Sequence, residues 1–268
     1  MHDDITIAKV PKGPVVSLIT AVYNNETHLR DALESAKSQD YPHIEHIIID
    51  GGSTDGTLEI LEDYREEIAL VISEPDSGIY DALNKGIRNA SGTYIAFLHS
   101  DDVFDNPAAL RRLVEASEHS NAEFCCSDVV IVDRDSDEII RFYMAQYFRT
   151  WLFKIGWMPP HPGCLFKRSL HDEFGLYSTK FKIAGDFDFM VRMFFSRTIR
   201  WTYVNNITMR MRRGGASNSG LSSKRQIATE LHRSLCDNGV KTWPFLQLLR
   251  YPIRAVEIFA RPKERGNA

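Results

Sequence analysis

Apolar blocks alternate with amphipathic stretches through the first hundred residues of this chain. The blocks at 15–22 and 44–49 are almost continuously apolar and rich in β-branched side chains, which is typical of strands buried on both faces. Strands that alternate with helices at this short spacing predict an α/β fold with a doubly wound, mostly parallel sheet. The predicted strands are 15–22, 44–49, 69–73 and 94–98, and helices with apolar residues at helical spacing are predicted at 29–36 and 79–89.

Two local signals refine the helices of this half. The polar residues 24–27 are typical of a helix start and place the first helix directly after the first strand. Leu58, Leu61 and Ile68 fall on one face if a helix runs from the second polar loop to the third strand.

The alternation loosens beyond residue 106, where shorter elements and many aromatic residues follow. A hairpin is predicted from two apolar runs, 124–132 and 139–143. The remaining predictions are a strand at 164–167, a helix at 186–195, extended segments at 201–204 and 207–211, and terminal helices within 222–261.

Length and composition exclude several classes of protein. With 268 residues, 43% hydrophobic and 25% charged, the chain is predicted to form one large globular domain or two tightly joined halves. Its net charge of −4 argues against a nucleic-acid partner. No apolar run reaches the length of a membrane span, and the N-terminus lacks a signal-peptide pattern. Four cysteines without metal-site spacing are predicted to be reduced, buried thiols of a cytoplasmic protein.

Two adjacent carboxylates, Asp101 and Asp102, follow the apolar run 93–98. Ligands of open α/β folds usually bind at the carboxyl ends of the strands. Oxygen ligands of this kind suit Mg²⁺ or Mn²⁺ that bridges to substrate phosphates. The alternative is a turn that caps a helix before residues 107–110.

Three polar loops, 20–25, 50–55 and 99–102, each follow a predicted strand. In a parallel sheet these loops meet at one edge and form a polar crevice, for which a nucleotide is the natural occupant. The sequence contains neither GxxxxGK[ST] nor GxGxxG, so a glycine cradle for phosphates is not expected. A divalent ion is therefore predicted to neutralise the phosphates.

The motifs in and around these loops resemble those of the family 2 glycosyltransferases, the inverting GT-A enzymes that use nucleotide-diphosphate sugars. The resemblance is dense through residues 15–105 and thinner beyond. The motifs are VSLITAVYN at 16–24, IIDGGSTDGT at 48–57, SEPDSGIYDALNKG at 73–86 and ASGTYIAFLHSDD at 90–102, followed by HPG at 161–163, GD at 185–186 and GGAS at 214–217.

The resemblance implies roles on the donor side. The first loop would line the base and ribose pocket, and Asp50 would hydrogen-bond the base, typically uracil. Lys85 would meet the diphosphate as a point charge, although an exposed helix face is the alternative for this residue. The donor-binding residues implied are Thr20, Ala21, Tyr23, Asp50, Asn84, Lys85, Ser100 and Asp101.

The metal motif departs from the Asp-x-Asp of the family. His99 replaces the first acid, and the second acid aligns with Asp101. Asp101 is therefore the first choice as metal ligand and Asp102 the second. His99 is interpreted as a ribose contact or as a neutral spacer.

The resemblance also implies a general base, because an inverting transfer needs a carboxylate to take the proton of the acceptor hydroxyl. Asp186 aligns with the catalytic acid of the family's Glu-Asp pair, and Gly185 replaces the Glu. A helix N-cap is the alternative for Asp186. Asp188 is the weaker candidate.

Three more residue groups are candidates for the acceptor side and the diphosphate. His161 aligns with a segment near the donor sugar. Trp157 could stack on a sugar ring, or it could pack in the core. Arg212 and Arg213 precede glycines, so this loop could close on the diphosphate, or it could be a solvated basic strand end.

The division that these observations suggest is an arm at 1–14, a nucleotide-sugar-binding half at 15–105, an acceptor-binding and catalytic half at 106–221, and a helical region at 222–268. Bulky apolar residues mixed with arginines at 243–261 could lie at the inner face of the cell membrane, pack on the globular body, or pair two subunits.

The function predicted is an inverting transfer from a nucleotide-diphosphate sugar, with UDP-sugar favoured, to a cell-envelope glycan or a polyprenyl-linked acceptor. It would depend on Mn²⁺ or Mg²⁺. The alternatives are a sugar-phosphate nucleotidyltransferase, whose usual glycine- and lysine-containing first loop is missing from residues 20–25, and a non-catalytic protein that binds nucleotide sugars.

Overall fold

The computed structural model describes residues 13–134, 136–214 and 221–260, so most of the predicted N-terminal arm and the 215–217 part of the glycine loop lie outside the described residues. The strands within these ranges are β1 Val16–Val22, β2 Ile44–Asp50, β3 Leu70–Ser73, β4 Tyr94–Phe97, β5 Val103–Phe104, β6 Phe124–Val132, β7 Ile139–Tyr143, β8 Cys164–Lys167 and β9 Trp201–Arg212. The α-helices are α1 Leu29–Lys37, α2 Thr57–Asp63, α3 Ile79–Asn89, α4 Ala109–Ser120, α5 Arg168–Phe174, α6 Gly185–Ser196, α7 Leu221–Asp237 and α8 Arg250–Phe259.

All of these strands belong to one sheet, in the order β3-β2-β1-β4-β8-β6-β9-β5, with β7 paired to β6. The first four strands are parallel to one another, as the alternating pattern predicts. β8 then runs antiparallel to both β4 and β6, whereas β6 and β9 are parallel. The α/β fold class is confirmed, and the sequence did not predict that a short antiparallel strand joins the two parallel groups.

The core lies on both faces of this sheet. β1 is buried along its whole length, and Ile19 and Leu18 face two different apolar clusters because neighbouring side chains of a strand point to opposite faces. The cluster around Ile19 continues into the second half through Phe166 and Phe189. One continuous core therefore joins the two halves.

Three local predictions are corrected. α1 begins at Leu29, because residues 24–27 form a turn bound to the second polar loop. α2 ends at Asp63, so Ile68 lies outside it, although its side chain is buried. Leu58 lies within α2 but is exposed, so it does not share the buried face of Leu61. The two predicted extended segments are one strand, β9, whose register shifts opposite Ser127 and Asp128.

Two further observations concern the cysteines and the membrane. Cys125, Cys126 and Cys164 are buried free thiols, whereas Cys236 is exposed, so the prediction of four buried thiols is wrong for Cys236. Within the described ranges, no helix combines the length and apolarity that crossing a bilayer requires.

Candidate active site

The three polar loops meet at the carboxyl edge of the parallel strands. The backbone N–H of Asn24 donates to Ser53 Oγ at 2.8 Å, which joins the first loop to the second. Asn25 Nδ2 donates to Ser100 Oγ at 2.9 Å, which joins the first loop to the third. These bonds hold the loops as one surface beside a cavity.

That cavity has a volume of about 550 Å³, within the usual range for small-molecule sites. It lies between the loop edge, α3, α6, β7 and α8. Of the residues singled out in the sequence, those that line it are Ala21, Tyr23, His99, Ser100, Asp101, Asp102, His161, Asp186 and Arg212.

Several other candidates point into the protein. Thr20 is fully buried, and its Oγ1 lies 3.0 Å from His46 Nε2. Asp50 is also fully buried, and its carboxylate accepts hydrogen bonds from Ser53 and Ser73. Thr20 and Asp50 therefore stabilise the packing beneath the first two loops and do not face the cavity.

Asn84 and Lys85 on α3 serve different contacts. The Asn84 side chain donates to the carbonyl of Tyr177 at 2.8 Å and accepts from its N–H at 2.9 Å, which ties α3 to the second half of the chain. Lys85 lies 2.8 Å from Glu74 and donates to the Pro75 carbonyl, so it holds the loop that precedes α3.

Asp101 and Asp102 form an acidic pair on the cavity wall. Asp102 is 2% exposed, and its Oδ1 accepts the N–H of Arg212. Burial raises the pKa of Asp102 well above its ordinary value, and the charge of Asp101 raises it further. Two carboxylates crowded in this way would be relieved by a cation.

The donor set of this pair fits a divalent ion held jointly with a substrate. Among the described residues, no three His, Cys, Asp or Glu side chains form a complete metal site. Mg²⁺ in phosphate-transfer sites is usually held by one or two carboxylates together with the phosphates of the substrate. Asp101 and Asp102 are therefore the residues that could hold it.

His99 and His161 stand one behind the other at this wall, with ring centroids 6.3 Å apart. His161 is buried, stacks on Phe97 at 4.6 Å and shares a 2.7 Å hydrogen bond with the Tyr177 hydroxyl. Burial lowers the pKa of both imidazoles. Both rings are therefore neutral at pH 7 and add no positive charge beside the two carboxylates.

Asp186 lies in the first turn of α6 and faces the cavity. Its Oδ1 accepts hydrogen bonds from the Tyr80 hydroxyl at 3.0 Å and from the N–H of Phe187 at 2.8 Å. Burial raises the pKa of Asp186 from 3.8 to about 6, although these two bonds act in the opposite direction. A carboxyl group with this pKa can hold and release a proton near neutral pH.

Gly185 explains how Tyr80 reaches this carboxylate. A Cβ at position 185 would lie 2.8 Å from carbons of the Tyr80 ring, which is closer than real Cβ contacts. The absence of a side chain lets the ring lie against the start of α6. The departure from the Glu-Asp pattern at Gly185 thus coincides with a new partner for Asp186, which sequence reasoning missed although Tyr80 stands in a quoted motif.

Asp188 has a different environment from Asp186. It is 4% exposed, its Oδ2 lies 3.0 Å from Arg192 Nε, and its Oδ1 accepts from Ser234 and Asn238 of the following helical region. These contacts join α6 to α7. The structure therefore gives Asp188 a packing role.

Comparison with known proteins identifies the family. The model described as Glycosyl transferase family 2 matches residues 17–175, more than half of the chain. The chain belongs to glycosyltransferase family 2. It is 36% identical to an uncharacterized glycosyltransferase of Mycobacterium tuberculosis. The alignment of 186 residues covers 67% of this chain and 69% of the relative. A PGL/p-HBAD biosynthesis glycosyltransferase of Mycobacterium bovis is 27% identical, with 87% of this chain and 92% of the relative covered.

Solved structures share the fold of this glycosyltransferase. Staphylococcus aureus TarS in complex with UDP-GlcNAc superimposes with a TM-score of 0.63 at 20% identity, covering 81% of this chain and 66% of TarS. The mannosyltransferase PcManGT of Pyrobaculum calidifontis, in complex with GDP-Man and Mn²⁺, gives a TM-score of 0.65 at 20% identity, covering 90% and 70%. At these identities the likeness shows the GT-A fold alone.

The glycosyltransferase has a second charged group on the cavity wall, which the sequence did not single out as a site. Arg141 of β7 and Arg250 and Arg254 of α8 line the cavity and are referred to below as the arginine wall. Asp101 and Asp102 are referred to as the carboxylate wall. The only sequence signal for the arginine wall was the mixture of arginines and apolar residues in the C-terminal segment.

Trp157 supports the arginine wall from behind. It is 4% exposed, and its indole N–H donates to Glu257 Oε1 at 3.2 Å. Its neighbours Gly156 and Met158 line the cavity instead. Of the two arginines predicted for the diphosphate, Arg212 lines the cavity and Arg213 is exposed.

Proposed function

We propose that this family 2 glycosyltransferase transfers a sugar with inversion from a nucleotide-diphosphate sugar, with Asp186 as general base and a divalent ion at Asp101 and Asp102. The observation that carries the proposal is the Asp186 carboxyl group, which faces the cavity with its pKa raised to about 6. A perturbed carboxyl in a cavity that also holds an acidic pair is a candidate for catalysis on physical grounds.

The base step follows from the contacts of Asp186. Tyr80 and the Phe187 N–H hold Oδ1, so the carboxylate has a fixed orientation. Asp186 would take the proton of an acceptor hydroxyl while the hydroxyl oxygen bonds to the anomeric carbon. The bond from that carbon to the diphosphate breaks on the opposite face, and the electron pair leaves with the nucleotide.

The leaving diphosphate needs positive charge. A divalent ion held by Asp101 and Asp102 would supply Lewis-acid stabilisation of the phosphate oxygens. Arg212 lines the same wall, and its Nη1 donates to the carbonyl of Asp101 at 3.2 Å, so its guanidinium is held beside the proposed ion. Arg212 is the proposed second cation for the diphosphate.

For the nucleotide, Ala21 and Tyr23 are the proposed contacts, since both line the cavity. Thr20 and Asp50 would act by shaping the loops, because their side chains bond within the protein. UDP-sugar stays the leading donor, and the TarS complex with UDP-GlcNAc supports that choice. GDP-Man in the PcManGT complex makes GDP-sugars the necessary comparison.

The decisive experiment measures donor binding and sugar transfer separately. Wild-type protein is screened by thermal shift against UDP- and GDP-sugars, with Mn²⁺ and with a chelator. We expect stabilisation by one donor class that requires Mn²⁺, and its loss in Asp101→Asn. If no donor stabilises the protein with Mn²⁺, or if Asp101→Asn binds donor as wild type does, the proposed donor site is wrong.

For the acceptor we propose a cell-envelope glycan or a lipid-linked glycan at a membrane surface. The Mycobacterium bovis relative, a PGL/p-HBAD biosynthesis glycosyltransferase, supports a cell-envelope product. Exposed apolar side chains before and along α8 support the proposed contact with a membrane surface. This apolar cluster comprises Trp243, Phe245, Leu248, Leu249, Val256, Ile258 and Phe259. Large exposed apolar patches are uncommon on proteins without a binding partner.

Liposome flotation tests the membrane contact. Trp243 and Phe245 stack on each other at 6.4 Å and are 67% and 62% exposed, so replacing both with Ser should leave the fold intact. We expect the double variant to lose liposome binding. The matched control replaces Trp151 with Ser. Trp151 is 57% exposed, lies in the 3-10 helix Thr150–Ile155 and is not part of the apolar cluster, so this variant should bind as wild type does. Equal flotation of all three proteins would contradict the membrane contact.

A further inference from the structure

Arg250 is a buried cation on the cavity wall for which the described residues provide no carboxylate partner. It is 1% exposed and lines the cavity, and its Nε and Nη1 have no hydrogen-bond partner among the described residues. Its Nη2 reaches the Tyr251 hydroxyl at 3.4 Å. A buried guanidinium costs free energy unless an anion pairs with it. The guanidinium also lies 5.2 Å from the centroid of the Tyr251 ring, so the structure keeps a buried cation without a carboxylate partner among the described residues at the cavity wall.

The neighbours of Arg250 increase the positive charge. Arg254 lines the same cavity, and burial together with the charges of Arg141 and Arg250 lowers its pKa. Arg141 lies 2.8 Å from Glu257, which is fully buried. Three arginines and one carboxylate leave an excess of about two positive charges, which matches the charge of a phosphate monoester at pH 7.

We propose that the arginine wall binds a phosphate group of the acceptor substrate, with Arg250 as its principal ligand. The proposal rests on the proposed function, in which Asp101, Asp102 and Arg212 serve the donor diphosphate. Arginine suits this role because its planar fork binds phosphate oxygens in pairs.

The surroundings favour an acceptor that carries an apolar portion next to this phosphate. Met158, Ile227 and Leu231 line the same cavity as the arginines. The helix that carries Arg250 and Arg254 also presents the exposed side chains of Val256, Ile258 and Phe259. A phosphate at the arginine wall would thus bind in the cavity that Asp186 also lines, beside the helix that carries these exposed apolar side chains.

Thermal shift with inorganic phosphate tests the site, with saturating UDP and Mg²⁺ present so that the donor side is occupied. We expect millimolar phosphate to raise the Tm of wild type by several degrees. Arg250→Met should have an equal or higher Tm without phosphate, because an unpaired buried charge is removed, and should lose the shift. Arg225→Gln, an exposed arginine on α7, should keep it.

A phosphate shift that persists in Arg250→Met, or that disappears in Arg225→Gln as well, would overturn the proposal. If Arg250→Met does not fold, Arg254→Gln serves in its place and should reduce the phosphate affinity at least tenfold. The proposed function is read independently from the shift that UDP and Mg²⁺ cause without phosphate. Loss of that shift refutes the donor site and leaves the phosphate result standing.

Vesicles identify the source of the phosphate. Flotation compares phosphatidylcholine vesicles with vesicles that also contain phosphatidic acid, whose headgroup is a phosphate monoester. Preference for phosphatidic acid that Arg250→Met abolishes assigns the site to a lipid phosphate. A response to free phosphate without that preference assigns it to a soluble phosphorylated acceptor. Absence of both responses contradicts the site.

Discussion

The two charged walls of the cavity differ in sign and in origin. The carboxylate wall comes from consecutive residues, Asp101 and Asp102, at the end of one strand. The arginine wall is assembled from Arg141, Arg250 and Arg254, which belong to β7 and to a helix more than a hundred residues later. Each wall carries charge that neighbouring protein groups compensate only in part. A cation would compensate the carboxylate wall, and an anion would compensate the arginine wall.

Substitution of Asp186 and of Asp188 tests which of these two carboxylates is the general base in the cavity between the walls. Asp186→Asn should lower the turnover by about 10³-fold, because the amide cannot accept the acceptor's proton, and should keep donor binding. Asp188→Asn is the matched control from the same helix turn. It should keep most of the turnover per folded molecule, since Asp188 bonds Arg192 and Ser234 inside the protein.

Single-turnover kinetics with the donor that emerges from the screen provide the measurement. If Asp186→Asn turned over at a rate near that of wild type, Asp186 could not be the general base. A loss in Asp188→Asn as large as in Asp186→Asn would show that the whole helix start, and not one carboxylate, is being perturbed.

The free energy of unfolding gives a second comparison of Asp186→Asn with Asp188→Asn. The raised pKa of Asp186 determines the sign of the change expected in Asp186→Asn. The folded pKa of about 6 lies above the value of 3.8 expected for an unfolded chain, so the folded state binds the proton more tightly. This contribution to stability is complete below pH 3.8 and is lost as the pH rises through about 6. At pH 7 the ionised carboxylate therefore costs up to about 3 kcal/mol.

Asp186→Asn should accordingly be more stable than wild type at pH 7, by up to about 3 kcal/mol, and the difference should shrink towards pH 4. Urea unfolding at both pH values measures it. Asp188→Asn should be less stable than wild type at both, because it breaks a buried ion pair. A lower stability of Asp186→Asn at pH 7 would contradict the raised pKa.

The sequence predicted the fold of residues 15–105 well because the determinants of these elements are local. β1, β2 and α3 follow from apolar periodicity, and the hydrogen bonds from Asn24 to Ser53 and from Asn25 to Ser100 join loops that a parallel sheet must bring together. The convergence of the three loops is confirmed.

The arginine wall could not be predicted in the same way. Arg141 and Arg250 meet only because α8 packs on β7, and neither residue belongs to a motif. The direction of side chains could not be predicted from the sequence either. The position of Trp157 in the chain placed it near the cavity but could not show that its ring turns inward to Glu257. Such contacts depend on long-range packing, which has no periodic signature in the chain.

Arg212 is the exception to the division between the walls, since it is a cation beside the carboxylates. Arg212→Gln should weaken donor binding about tenfold or more, the loss expected for a charged hydrogen bond to phosphate. Arg213→Gln, next in the chain and exposed, should bind donor within about twofold of wild type, as surface charges contribute little. Isothermal titration in Mn²⁺ measures both. Equal effects of the two substitutions would indicate a general charge effect and not a contact.

Tyr80 gives the smallest effect. Its hydroxyl donates to Asp186 Oδ1 at 3.0 Å and also lies 2.6 Å from the Ile183 carbonyl, so one proton is shared between two acceptors. A hydrogen bond to the ionised carboxylate lowers its pKa, and Tyr80→Phe should therefore move the acidic limb of log(kcat/KM) from about pH 6 upward by about one unit. The ring still fits against Gly185, so the turnover at pH 8 should change by only a few fold.

Tyr177→Phe is the matched control, because it removes a buried hydroxyl that bonds His161 and leaves Asp186 Oδ1 untouched. Its acidic limb should stay near pH 6. A limb that moves equally in both variants would mean that general loosening of the aromatic cluster, and not the Tyr80 hydroxyl, sets the pKa of the base. A limb that moves only in Tyr80→Phe would show that the Tyr80 hydroxyl of α3 lowers the pKa of Asp186.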